Sequence, residues 1–143
     1  MTVKAIISAK GGEVVTVEPN MDVAFAAKLL AERKIGAVVV TDADQRVIGI
    51  VSERDIVQEL AAHGAAALGL SLTEVMTRNV MTCGPSDTIS SVMERMTQGK
   101  FRHLPVVEQG KLIAIVSIGD VVKQRLEQME HEQSALRDYI QTA

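Results

Sequence analysis

Between positions 23 and 34 the apolar residues Val23, Ala26, Ala27, Leu30 and Ala31 recur at helical spacing behind Asp22, a candidate N-cap. Two runs rich in β-branched residues follow, Ala37 to Val40 and Val47 to Val51, and the polar stretch Asp42-Ala43-Asp44-Gln45 between them has the chemistry of a hairpin turn. The same order returns further along: a stripe of Ile89, Val92, Met93 and Met96 behind Thr88, then a second apolar pair of runs around Glu108-Gln109-Gly110-Lys111. Each half therefore reads as a short strand, a helix, two hairpin strands and a second helix.

The halves align as a repeat. Thr16-Val17-Glu18-Pro19 returns as Thr82-Cys83-Gly84-Pro85, Val23 to Lys34 overlays Ile89 to Lys100, and Gly36 to Val40 overlays Arg102 to Val106. Gly49-Ile50-Val51-Ser52-Glu53-Arg54-Asp55 then matches Ala114-Ile115-Val116-Ser117-Ile118-Gly119-Asp120 with one residue lost in the preceding turn, where loops absorb length changes. One copy's helices cannot cover both faces of its strands, so two copies packed sheet to sheet or helix to helix form the natural unit. Repeat one is placed at 10–60, a connector at 61–78, repeat two at 79–125 and a C-terminal helix at 126–143. The connector is expected only to return the chain to the start of the second copy.

Composition narrows the function. A chain of 143 residues, 47% of them hydrophobic, can bury a core without disulfides, and its single cysteine, Cys83, allows neither a disulfide framework nor a cysteine-based zinc site within one chain. Fifteen basic against eighteen acidic side chains leave a net charge of −3, and Phe25, Phe101 and Tyr139 are the only aromatics. A bulk positive field and stacking platforms are both lacking, so no nucleic-acid partner is expected. No apolar run is long enough for a signal peptide or a membrane span, so the chain is expected in the cytoplasm, with no membrane partner. His63, His103 and His131 show no metal-ligand spacing, and no nucleophile, base and orienter set is present, which predicts neither a metal site nor an enzyme. Lys10-Gly11-Gly12-Glu13 has too few elements for a phosphate loop and reads as a turn.

Gly49 to Asp55 and Ala114 to Asp120, each preceded by a hairpin and a helix, together with Arg102-His103-Leu104-Pro105-Val106-Val107-Glu108, resemble a tandem of cystathionine-β-synthase (CBS) domains, a Bateman module. The similarity runs from about Lys10 to Arg125. It implies an α/β (α+β) fold of two β-α-β-β-α repeats about a pseudo-two-fold axis, with a C-terminal helix. It also implies regulation by adenosine-containing ligands bound between the repeats: AMP, ADP, ATP or NAD(H), with no cofactor required.

Ser52 and Asp55, like Ser117 and Asp120, follow a strand and open a helix, where unpaired amides favour an anion and a carboxylate suits ribose hydroxyls. The resemblance assigns phosphate to the serines and ribose to the aspartates. The same Ser-x-x-Asp spacing is that of a capping box, and the two readings can alternate. By family analogy Arg102 or His103 lies near phosphate and the backbone around Leu104 near the base, and Pro105 and Ala37 are counted among the candidate ligand-binding residues. Arg54 adds charge beside Asp55, and Thr16 and Thr82 neighbour the base or phosphate. A basic loop such as Lys100 to His103 can equally be simply solvated. Ala114 replaces the motif glycine in copy two and copy one lacks the Arg-His pair, so the two clefts are expected to differ in affinity.

Beyond Asp120 the chain reads helical, and Val122, Leu126, Met129, Gln133, Leu136 and Ile140 alternate spacings of four and three, a heptad seam rimmed by Lys123, Arg125, Glu127, Glu130 and Arg137. The seam either pairs across a homodimer or folds back on its own module. The expected function is a sensor of adenine nucleotides acting on an unknown protein target. The competing expectation is a non-catalytic dimeric scaffold with vestigial clefts.

Overall fold

The computed structural model describes residues 1–11 and 14–142, so Gly12 and Glu13 of the expected Lys10 to Glu13 turn lie outside the described residues. In chain order the elements are α1 (Val3–Lys10), β1 (Thr16–Val17), α2 (Val23–Arg33), β2 (Ala37–Thr41), β3 (Val47–Ser52), α3 (Glu53–His63), a 3-10 helix (Gly64–Gly69), α4 (Leu72–Val75), α5 (Ile89–Gly99), β4 (His103–Glu108), β5 (Lys111–Ser117) and α6 (Ile118–Thr142). The two repeats are present as read, and their correspondence extends to backbone detail. α2 and α5 both end on a lysine in the left-handed region, Lys34 at φ 55° and Lys100 at φ 56°. Both begin on the expected caps: Asp22 accepts from the Phe25 amide at 2.8 Å and Thr88 from the Ser91 amide at 3.0 Å. Val23, Ala26 and Leu30 are buried along α2, as are Ile89, Val92 and Met96 along α5, whereas Ala31 lies on the exposed side.

In repeat one, β1 pairs parallel with β2, which pairs antiparallel with β3. In repeat two, β4 and β5 form the hairpin, and the expected first strand is reduced to one parallel bridge, Cys83 to Val106. The reason lies in Pro105, which stands where β2 has Val39 and has no N–H to donate to a ladder. Its carbonyl still accepts from the Cys83 amide at 3.0 Å. Cys83 is buried, and burial, reinforced by Asp87, pushes its thiol up to about 11, so it sits in the core as a protonated, unreactive side chain.

The halves interlock through the segments that precede them. α1 leads into repeat one but packs on repeat two: Val3 and Ile6 are buried with Ile89, Val92, Leu104 and Val116. α4 leads into repeat two but packs on repeat one, where Leu72 and Met76 join Val17, Val23, Leu30 and Val51. The backbone bonds match in pairs. Val3 donates to the Asp87 carbonyl at 2.9 Å and Ile89 to that of Met1 at 3.2 Å, just as Leu72 donates to Met21 at 2.8 Å and Val23 to Leu70 at 2.9 Å. The connector, expected only to return the chain, thus completes the first repeat's core. α1 was not anticipated as an element.

Gly49 shows how tightly α4 sits on repeat one. A Cβ at that position would overlap the Met76 sulfur and stand 2.7 Å from its Cγ. Gly49→Ala is therefore expected to lower the unfolding free energy by about 1–3 kcal/mol, read by urea denaturation. Ala114 occupies the matching place in repeat two, where the element above it is α1 instead.

α6 is one unbroken helix from Ile118 to Thr142, so no structural break stands at position 125. Val121 and Gln124 face the repeat and are buried, while Val122, Leu126, Met129, Leu136 and Ile140 are exposed. The heptad seam does not fold back on its own module.

Candidate functional site

Each hairpin delivers the start of a long helix to the junction of the two repeats, and both starts are capping boxes. In repeat one the Asp55 amide donates to Ser52 Oγ at 3.2 Å, and Asp55 Oδ2 accepts from the Ser52 amide at 2.8 Å and from its hydroxyl at 3.0 Å. In repeat two Asp120 Oδ2 accepts from the Ser117 amide at 2.9 Å, and the Asp120 amide donates to Ser117 Oγ at 3.1 Å. These bonds satisfy helix-end groups that would otherwise be open to a ligand. Each box uses only one carboxylate oxygen for its cap, which leaves the other able to accept from a hydroxyl.

The surroundings of the two starts differ. At α3 the box opens into a cleft of about 320 Å³, within the size range of small-molecule sites. Its walls come from Gly36, from Ile50 and Ser52 of β3, from Glu53, Arg54 and Asp55 of α3, from Thr77 and Asn79 to Met81, and from Lys100 to His103. Thr77 is held there by an antiparallel bridge to Ile50, with N–H to carbonyl distances of 2.9 and 3.0 Å in the two directions. Repeat one thus supplies a helix start with two carboxylates, and repeat two supplies Lys100, Phe101, Arg102 and His103.

At α6 the corresponding space holds Lys10, the last residue of α1. Its Nζ donates to Asp120 Oδ2 at 2.7 Å and to the Ile115 carbonyl at 2.8 Å. Burial acts to raise the Asp120 carboxyl, but Lys10 and the Ser117 amide together outweigh it and hold the group below the ordinary aspartate value. A lowered native value adds stability above the unfolded value and loses it as pH falls through the native one. Lys10→Met is therefore expected to be less stable by up to about 1 kcal/mol at pH 7, since the pair is partly exposed. Urea denaturation should show that gap narrowing as the pH falls from 3.8, the unperturbed aspartate value, through the lower value of the native carboxyl, and closing once Asp120 is neutral in both folded proteins.

His103 lies between the two helix starts. Burial lowers its imidazole below the usual range, with Glu53 opposing and Lys10 adding to the shift, so the ring is neutral at pH 7. It packs over Gly36, where a Cβ would come within 2.9 Å of Cε1.

Of the residues singled out from the sequence, Ser52, Arg54, Asp55, Arg102 and His103 come together in the α3 cleft. Ser117 and Asp120 form the Lys10-held box. The others do not line the cleft. Ala37, Leu104 and Pro105 are buried in β2 and β4, Leu104 in the core of its repeat and Ala37 and Pro105 on the alternate strand face. Thr16 is in β1, and the Thr82 carbonyl accepts from Arg95 at 3.2 Å. Gly36, Glu53, Thr77, Asn79, Val80 and Met81 were not singled out, nor were Lys100 and Phe101 as site residues in their own right. The signal for the 77–81 stretch was its place just before a repeat's first strand. Among the described residues no group of three His, Cys, Asp or Glu side chains converges to hold a metal, and no helix is long and apolar enough to cross a membrane.

Two interlocked β-α-β-β-α repeats, with Ser-x-x-Asp helix starts meeting at their junction, define a tandem CBS pair. The sequence profile of the CBS domain matches residues 3–62 and again 72–127, and the chain belongs to the CBS domain family. A CBS-domain protein of Agrobacterium tumefaciens has a solved structure similar to this one, at 52% identity and a TM-score of 0.83, covering 87% of this chain and 92% of that one. CBSX2, solved in complex with AMP, is 26% identical with a TM-score of 0.75 over 88% of this chain and 97% of that one. A CBS domain pair solved with 5′-methylthioadenosine and S-adenosyl-L-methionine is 25% identical with a TM-score of 0.80 over 90% and 98%. Among curated relatives, the CBS domain-containing protein CBSCBSPB2 of Arabidopsis thaliana is 34% identical over 115 residues, 80% of this chain. The chain spans 22% of that relative's length, and 69% of that of an uncharacterized Acidianus ambivalens protein to which it is 35% identical.

Proposed function

We propose that the chain is a regulatory module that binds an adenine nucleotide in the α3 cleft and reports occupancy to a protein target by shifting the arrangement of its two halves. One observation carries this reading: a cleft of about 320 Å³ in which a helix start bearing Ser52 and Asp55 faces Lys100 and Arg102 of the other repeat. Asp55 Oδ1 suits a ribose hydroxyl, and the cations suit phosphate. Ile50, Val80, Met81 and Phe101 give the apolar wall that a base needs. AMP, ADP, ATP and NAD(H) all present these groups, and the adenosine ligands of the two solved relatives support the class. In this reading the module signals without catalysing, works in the cytoplasm, and has one open site per chain, because Lys10 occupies the space at α6.

A thermal-shift panel tests it. At a ligand concentration of about a hundred times the dissociation constant, linkage adds about 2.7 kcal/mol. For a chain of this size that is a rise of roughly 5–10 °C in melting temperature. The rise is expected with at least one of AMP, ADP, ATP and NADH, and no rise with any of the four contradicts the proposal.

The exposed seam of α6 favours a second reading alongside it, a homodimer in which a second copy covers Leu126, Met129, Leu136 and Ile140. A dimeric scaffold with vestigial clefts predicts a two-chain mass in sedimentation velocity and no melting response to any nucleotide. A single-chain mass at tens of micromolar would count against the dimer.

A further inference from the structure

From Met129 to Thr142 every residue of α6 is exposed. A helix of about this length that packs on nothing is marginal in water, and here its apolar seam is left wet as well. The seam runs from Val122 to Ile140, about 27 Å at 1.5 Å per residue. It is turned away from Val121 and Gln124, the buried residues by which α6 rests on repeat two, so that a second helix can approach along its whole length.

The charges beside the seam select the occupant and its direction. With Leu126, Gln133 and Ile140 at the a places of a heptad and Val122, Met129 and Leu136 at the d places, Arg125 and Glu132 fall at g, and Glu130 and Arg137 at e. In a parallel pair each g residue faces the e residue five positions further along the other helix. Two copies of α6 then set Arg125 against Glu130 and Glu132 against Arg137, opposite charges in both charged pairs. An antiparallel pair over the same span sets Glu130 against Glu130 and Glu132 against Glu132.

Gln133, the one polar residue in the seam, points the same way. Parallel and in register, it meets the second copy's Gln133 and the two amides can bond each other. Antiparallel, it faces an apolar d residue; slipped by one heptad, it faces Leu126 or Ile140. Either alternative buries an amide without a partner.

We propose that α6 joins two copies of this chain as a parallel, in-register two-stranded coil, with Gln133 paired to Gln133 at its middle and with Arg125–Glu130 and Glu132–Arg137 pairs along its sides. The proposal rests on the dimer reading and adds its polarity, which places both modules at the same end of the coil. It does not depend on what the α3 cleft binds.

The test combines sedimentation velocity of the full chain at tens of micromolar with oxidation of Ile140→Cys by glutathione disulfide. Cys83 is buried with its thiol pushed up to about 11, so the unsubstituted chain offers no thiol for linking. A parallel coil brings the two copies of residue 140 within disulfide reach, whereas an antiparallel one carries them to opposite ends. A two-chain mass is expected, with Ile140→Cys converted to a covalent dimer. Glu132→Arg, which sets two arginines face to face on each side, should weaken the dimer about tenfold, and adding Arg137→Glu should restore it to within about threefold. These exposed charge variants decide the polarity should Ile140→Cys fail to fold by circular dichroism. A two-chain mass without linking of folded Ile140→Cys, or without rescue by Arg137→Glu, overturns the parallel coil and leaves the dimer reading standing. A single-chain mass overturns both.

Discussion

Leu72→Ala is expected to lower the unfolding free energy by about 2–5 kcal/mol, the usual range for emptying a leucine site in a packed core. Leu72 belongs to a helix of only four residues in the stretch between the repeats, a place where substitutions are ordinarily tolerated. Here it is fully buried among Val17, Val23, Leu30 and Val51, and its amide bonds the Met21 carbonyl at 2.8 Å. Leu68→Ala, a few residues earlier and 39% exposed, should cost well under half as much. Urea denaturation of the two variants compares them directly. A loss below about 1 kcal/mol for Leu72→Ala would mean that α4 is an appendage and that the halves are not interlocked.

Asp55→Asn is expected to weaken adenine-nucleotide binding at least tenfold while leaving the ligand-free melting temperature nearly unchanged. An asparagine oxygen still accepts from the Ser52 amide, so the cap survives. The charge that strengthens a hydrogen bond to a ribose hydroxyl does not, and such a bond is worth about 1.5–3 kcal/mol. Lost charge near the α3 start costs only about 0.3–1 kcal/mol of stability. Asp120→Asn should do the reverse: nucleotide affinity stays, and stability falls modestly as Lys10 loses its charged partner. Titration calorimetry and thermal denaturation of both variants separate capping from ligand contact. If Asp120→Asn is the one that abolishes binding, the site is at α6, and Lys10 must leave it when ligand arrives.

Much of this architecture was legible in the sequence because strong local signals coincide with the repeat. Asp22 and Thr88 cap where their side chains predict, and the hairpin turn at Asp42 forms as read, with its carboxylate accepting from the Asp44 and Arg46 amides at 2.9 and 3.0 Å. The interlocking segments were not legible. α1 and α4 share an apolar spacing but no residue string, and nothing local tells Val3 that its partners lie more than 80 positions away, at Ile89 and Val92.

The site was half legible for a related reason. Ser52, Arg54 and Asp55 fall within four consecutive positions, and Arg102 and His103 form a conspicuous basic pair. Thr77 and Asn79 to Met81 reach the cleft only through the Ile50 bridge, a long-range pairing with no sequence mark. Lys10 shows the same limit: the inequality of the two clefts could be expected from Ala114 and the Arg-His pair, but not that a lysine of the other half's leading helix would fill one of them.

The most direct test of the account is a crystal structure of the chain grown with saturating ATP. The account predicts one nucleotide per chain at the α3 start, its ribose within hydrogen-bond distance of the Asp55 carboxylate and its phosphates against Arg54 and Arg102, with Lys10 still on Asp120. An empty α3 cleft at saturation, or a nucleotide bound anywhere else, would contradict it.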